Sequence, residues 1–191
     1  MTDSRRDYEQ VYSELTWAYG DKPDLELIHA LEGRPRGRAV DVGGGQGRHA
    51  LPLAALGFDV VVVDTAAAGL HQGAESAAEK DLNIHFVQQD AAQFEYGPGL
   101  KAAVAALFFH IPAHKTSISI AQRIGEALEP GSPLYLSVPG FTSETVELVE
   151  AVIEAAGCKK DFIVKHLVTK KERPRLSVPR RNETRALGIK P

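Results

Sequence analysis

Between Arg38 and Gly157 the chain alternates short apolar, β-branched runs with helical patterns, and this alternation constrains the fold more than any other feature. Arg38–Val42 reads as a buried strand, followed by glycines and a helix from about Arg48 to Leu56. Asp59–Asp64 is the clearest strand. Thr65 then stands as the expected N-cap of an Ala-rich helix ending near Lys80. Asn83–Val87 and Ala102–Phe109 supply a third and a fourth strand. Helix Thr116–Leu128 stops at Glu129-Pro130-Gly131, Pro133–Val138 is a fifth strand, and helix Ser143–Ala156 ends at Gly157. Two extended runs, Asp161–Thr169 and Thr184–Lys190, close the chain with no helix between them. Strand and helix in this order predict an α/β, doubly wound, seven-stranded and mostly parallel sheet with helices on both faces. The last two runs are expected to form an antiparallel pair at one edge. In such sheets ligands bind beyond the carboxyl ends of the strands.

A length of 191 residues suits one domain, with residues 1–23 as an N-terminal lid segment and 159–191 as a C-terminal strand pair. The longest apolar run, Ala102 to Phe109, is far short of the ~20 residues a membrane span needs. The start, Met1 to Asp7, has no apolar secretion core, so a cytoplasmic protein is expected. Cys158, the single cysteine, cannot form an internal disulfide or a cysteine metal cluster, and no metal site is expected. The net charge of −3 conceals a skew. Residues 1–158 hold 11 basic and 22 acidic residues, whereas 159–191 hold 11 basic and only three acidic ones.

The residues directly after each strand carry the chemistry. Asp41-Val42-Gly43-Gly44-Gly45-Gln46-Gly47 has four glycines in five positions, more than a turn needs, so a ligand is expected against the main chain. A dinucleotide fingerprint G-x-G-x-x-G would place its third glycine on Arg48, and the P-loop pattern is absent. An acid two residues before Gly43 suits a cationic amino group, which S-adenosylmethionine carries and a pyrophosphate does not. Asp64, 21 residues after Gly43, suits both hydroxyls of a ribose. Asp90, after the third strand, suits an adenine amino group. There is no G-x-S-x-G nucleophile elbow.

These residues resemble the cofactor motifs of class I S-adenosylmethionine-dependent methyltransferases, whose fold is Rossmann-like. A narrower likeness, to the small bacterial tellurite-resistance type, rests on Tyr19-Gly20-Asp21-Lys22-Pro23, Gly47-Arg48-His49-Ala50, Phe109-His110-Ile111-Pro112 and the closing Arg185–Pro191. It covers nearly the whole chain from about Tyr8. The resemblance implies that Asp41 with Gly43, Gly44, Gly45 and Gly47 holds the methionine end of S-adenosylmethionine. It likewise implies Asp64 and Thr65 at the ribose, Asp90 and Ala91 at the adenine, Phe108 beside the cofactor, and Tyr19 on a segment that closes over it. Gly44 and Gln46 depart from the Cys and acid often found in this loop, at positions expected to act largely through backbone.

His110, after the fourth strand, is the candidate general base, with a sheet-edge structural histidine as the alternative. Tyr8, Tyr12, Trp17 and Tyr19 are four of the 13 aromatics, and they suit either closure over a cofactor or packing on the sheet. If Asp161–Thr169 runs parallel to its neighbours, Lys170 to Arg181 lies at the rim of the site. Arg173, Arg175, Arg180 and Arg181 are then candidates for attracting an anionic acceptor. The expected function is methyl transfer to a small molecule or oxyanion, such as tellurite, selenite, a thiol or an amine, with nucleic acid disfavoured as partner and a monomer and a homodimer both open. The alternatives are an NAD(P)-dependent oxidoreductase and a non-catalytic S-adenosylmethionine-binding domain.

Overall fold

A computed structural model describes residues 7–105, 114–169 and 180–191; for 114, 167–169, 180 and 181 it describes the backbone. Seven strands form one sheet in the order β3-β2-β1-β4-β5-β7-β6. The strands are β1 (Arg38–Val42), β2 (Asp59–Asp64), β3 (Ile84–Gln88), β4 (Leu100–Ala105), β5 (Pro133–Pro139), β6 (Lys159–Thr169) and β7 (Arg180–Ile189). All pairs from β3 across to β5 are parallel. β7 pairs antiparallel with both β5 and β6, so β6 regains the direction of β1 to β5. The order reverses between β1 and β4, and the switch-point crevice therefore opens beside the carboxyl end of β1.

The helices are α1 (Tyr8–Glu14), α2 (Leu25–Leu31), α3 (Ala50–Ala55), α4 (Ala67–Glu79), α5 (His114–Ala127) and α6 (Ser143–Ala155). Each face of the sheet has its own core because alternate strand residues point to opposite sides. Leu134, Leu136 and Ala186 meet Ile120, Ile124, Val149 and Ile153 of α5 and α6. Val60, Val62, Val104, Tyr135 and Leu187 meet Leu27, Leu31, Leu53 and Leu70 on the other face. Among the described residues no helix is long and apolar enough to cross a membrane.

Several boundaries differ from the sequence expectation for local reasons. The N-cap of α4 is Ala66 rather than Thr65, and it makes no side-chain cap bond. Asp64 Oδ1 accepts the Ala66 amide at 2.9 Å, which carries the chain one residue further before the helix begins. The helix after the glycine loop starts at Ala50, because residues 43–47 turn through three positive-φ glycines first. β7 begins at Arg180, not Thr184, since its first residues pair with the end of β6. α6 is capped as its sequence allows: Thr142 and Thr145 exchange side-chain and backbone hydrogen bonds in a capping box.

Gly125 of α5 touches the C-terminal end of α6. A Cβ placed there would lie 2.0 Å from the Ala156 carbonyl oxygen. Gly125→Ala gains about 1 kcal/mol of helix propensity, but forcing two helix backbones apart costs about 1–3 kcal/mol. A contact with backbone, which cannot rotate aside, puts the cost at the upper end. We predict a net loss of about 2 kcal/mol, read as a lower urea midpoint with unchanged m-value.

Candidate cofactor and acceptor site

The site is built from the carboxyl ends of β1 and β2. Asp41 lies within β1 and is fully buried, yet neither carboxylate oxygen completes a hydrogen bond. Burial pushes its pKa up to about 7; Arg48 opposes that rise, Asp64 adds to it and the Ala50 amide opposes it. A buried carboxylate that completes no hydrogen bond, with the Ala50 amide and the Arg48 charge only partly offsetting its burial, calls for a further donor, preferably a cation. Gly44 is obligatory beside it, because a Cβ there would sit 2.8 Å from the Asp41 carboxyl group.

Asp64 ends β2 and faces the same loop. Its Oδ2 accepts the Gly45 amide at 2.8 Å, and its Oδ1 accepts from Ala66. Burial raises this carboxyl, while the amides of Ala66, Gly45 and Thr65 pull it down. Each oxygen keeps a lone pair, so a vicinal diol can still be accepted. Thr65 is exposed next to it. Asp90 follows β3 and is exposed, with Oδ1 accepting the Ala92 amide at 2.8 Å; Ala91 beside it is half-buried. Asp41, Gly43, Gly44, Gly45, Gly47 and Asp64 are thus brought together at the switch point, with Thr65, Asp90 and Ala91 at the ends of the two neighbouring strands.

The N-terminal segment covers this loop. Tyr12 is buried, and its ring meets Tyr8 and Tyr19 at centroid distances of 6.3 and 6.0 Å. Gln46 ties the segment down through its side chain, and not mainly through backbone as its place in the loop implies. Its Oε1 accepts the Ala18 amide at 2.8 Å, and its Nε2 donates to the Leu15 carbonyl and to Gln72. Gln72 in turn donates to the Tyr12 carbonyl at 2.7 Å, and both Glu9 oxygens accept the Ala68 amide at the start of α4. Neither Gln72 nor Glu9 belongs to a recognisable motif; only their long-range placement shows their roles.

A second buried group lies on the α2 side of the sheet. Asp24, at the N-cap of α2, meets Arg48 at 2.7 Å, Arg185 at 2.9 Å and the Tyr135 hydroxyl at 3.2 Å. Arg185 also reaches Glu26 at 2.7 Å. Burial would raise the Asp24 carboxyl, but Arg48, His49 and Arg185 hold it well below its ordinary value. Arg48, which breaks the dinucleotide fingerprint, is therefore half of a buried ion pair.

Phe108, His110, Arg173 and Arg175 lie outside the described residues. Arg180 and Arg181 are placed on β7 by backbone, opposite Thr169 and Val168 of β6. The direction of β6 sets that end of the hairpin on the same side as the carboxyl ends of β1 to β5.

The fold, the glycine loop and the two strand-end acids define a Rossmann-like methyltransferase domain, and residues 39–131 match the family described as "Methyltransferase domain". That match spans 93 of the 191 residues, and in it the chain is similar to the class I S-adenosylmethionine-dependent methyltransferases. It is similar to the tRNA 5-carboxymethoxyuridine methyltransferase of Escherichia coli K12, with 28% identity over 120 residues, 59% of this chain and 44% of that protein. It thus spans less than half the length of this curated relative. Among solved structures, TehB from Haemophilus influenzae superposes with a TM-score of 0.69 at 16% identity, over 88% of this chain and 63% of that one. Magnesium protoporphyrin IX methyltransferase from Synechocystis PCC 6803, with bound SAM, gives 0.66 at 14% identity, over 96% and 80%.

Proposed function

We propose that this chain transfers a methyl group from S-adenosylmethionine to a small, anionic acceptor by in-line displacement. The observation that carries the cofactor reading is Asp41: a buried carboxylate without hydrogen-bond partners, at the switch point, beside a loop stripped of side chains. An α-amino group is the cation such a site requires. Asp41 and residues 43–47 hold the amino-acid end, Asp64 takes the ribose diol, and Asp90 with Ala91 borders the adenine. When bound, the cofactor supplies an activated methyl group and a neutral thioether leaving group.

The protein's part is orientation and exclusion of water, so no covalent protein intermediate is required. His110, following β4, is the proposed acceptor of a proton from a protonated nucleophile. The basic residues between β6 and β7, with Arg173, Arg175, Arg180 and Arg181, are the proposed attraction for an anion. The hairpin's direction and the charge skew support that assignment. Labelled-methyl transfer against tellurite, selenite, thiols, amines and RNA tests the reading. Turnover of an anionic small molecule is expected; label entering RNA alone would overturn it in favour of a nucleic-acid acceptor, as in the name of the E. coli relative.

The state of Asp41 sets a pH dependence. The carboxyl must lose its proton to pair with an ammonium group, and its pKa in the unliganded protein is about 7. Affinity for S-adenosylhomocysteine is therefore predicted to rise about tenfold from pH 5 to 6 and about fivefold more from pH 6 to 7. It should fall again above about 8, where an α-amino group loses its charge. Calorimetry in buffers of different ionisation enthalpy should show close to one proton released per ligand at pH 6. The stability term has the opposite sense. Between about pH 4 and 7 the folded chain holds a proton that the unfolded chain has released, so this group destabilises the unliganded protein as pH rises through that window.

A further inference from the structure

Tyr12 lies on the part of the loop that joins the two strand-end acids. A Cβ on Gly45 would stand 2.3 Å from its hydroxyl oxygen, and one on Gly69, in the first turn of α4, 2.8 Å from its ring. The Gly45 amide is bonded to Asp64, and the preceding Gly44 abuts Asp41. Gly45 thus links the surroundings of the two carboxylates, and the Tyr12 phenol stands directly against it. Burial raises the Tyr12 phenol, and the charges of Asp64, Tyr19, Tyr8 and Asp41 raise it further.

The tethers of the segment are polar and reversible. α1 has only seven residues and packs in a small satellite cluster of Tyr12, Ala18 and Ala66. The bonds from Gln46, Gln72 and Glu9 hold it to the loop and to α4, whose own N-cap provides no side chain. Each is the kind of contact worth about a fivefold change in an equilibrium.

We propose that Tyr12 gates the cofactor cleft: in the unliganded protein its ring occupies the path between Asp41 and Asp64, and cofactor enters only when α1 is displaced. The N-terminal segment and the cofactor then compete for Gly45. This rests on the reading of the cleft as an S-adenosylmethionine site. Apparent affinity is the intrinsic affinity reduced by the fraction of molecules with the gate open. Loosening the gate must therefore tighten binding, whereas removing a wall of the binding site must weaken it.

Trp17 is the only tryptophan and lies on the same segment, so its fluorescence reports the gate's position. Stopped-flow mixing with S-adenosylhomocysteine should give an observed rate that saturates with ligand concentration, the plateau being the opening rate. Gln72→Ala, which cuts the tether to Tyr12 and the bond from Gln46 while leaving Asp41, Asp64 and the loop glycines in place, should raise that plateau by roughly fivefold. Tyr12→Ala should raise both association rate and calorimetric affinity, by roughly fivefold or more. Binding by the wild-type chain with unchanged or weaker affinity in Tyr12→Ala overturns the gate while leaving the cofactor assignment intact. No heat with wild type or either variant overturns both.

Discussion

Asp41→Asn is expected to weaken cofactor binding by about 30-fold or more while leaving the fold intact or more stable. In the unliganded chain the carboxylate is buried without hydrogen-bond partners, so its charge is a cost at neutral pH. An amide of nearly the same shape removes that cost. In the proposed complex the same charge is half of a buried ion pair, and losing one partner of such a pair costs about 2–5 kcal/mol. That corresponds to a loss of about 30-fold to several-thousand-fold in affinity. The paired measurements are thermal unfolding at pH 8 and calorimetry with S-adenosylhomocysteine. A variant that binds normally would show that Asp41 does not face the ligand.

Asp24→Ala is expected to have the largest effect on stability. Its carboxylate lies between Arg48 and Arg185, and both guanidinium groups are nearly inaccessible to water. Removing it takes from both guanidinium groups the carboxylate they share, leaving Arg185 with Glu26 and Glu183 and Arg48 near Asp41. Breaking a buried pair by deleting one partner costs about 3–5 kcal/mol, which should appear in urea unfolding. The pH dependence has a definite sense. The carboxyl is held well below its ordinary value when folded, so its contribution is complete above about pH 4 and is lost as pH falls through the folded value. The variant and the wild type should converge in stability at strongly acidic pH.

The parts of the fold legible in the sequence were those governed by local chemistry. A run such as Val60-Val61-Val62-Val63 between two acids permits little besides a buried strand, and the glycines after β1 announce a tight turn through positive-φ positions. The antiparallel pairing of the last two runs also followed from the lack of a helical pattern between them, because a parallel pair is usually joined by a crossover helix. The extent of β7 did not. Arg180 to Glu183 carry no strand pattern, and they extend because β6 offers eleven residues to pair with. The cap of α4 was misplaced for a related reason: Thr65 has the better capping side chain, but Asp64 already occupies the neighbouring amide.

The placement of Asp41 and Asp64 against one loop was legible because their spacing from the glycines is fixed by the strand-loop-strand unit. The contacts of Gln46, Gln72 and Glu9 depend on where a short N-terminal helix docks, and periodicity carries no information about docking. Asp24 and Arg185 are 161 positions apart and become partners only through the sheet order. Buried ion pairs of this type leave no local pattern to detect.

The position of β7 between β5 and β6 has a consequence for biosynthesis. A ribosome delivers β6 before β7, yet β6 has no place in the sheet until β7 has filled the row beside β5. Throughout elongation the outer edge of β5 is bare, and the buried residues Thr184, Arg185, Ala186 and Leu187 have yet to be made. An unpaired strand edge is a template for wrong partners, including β6 itself in a parallel register. The nascent chain therefore stays vulnerable to mispairing until residues 180–189 leave the exit tunnel, whatever the stability of the finished protein.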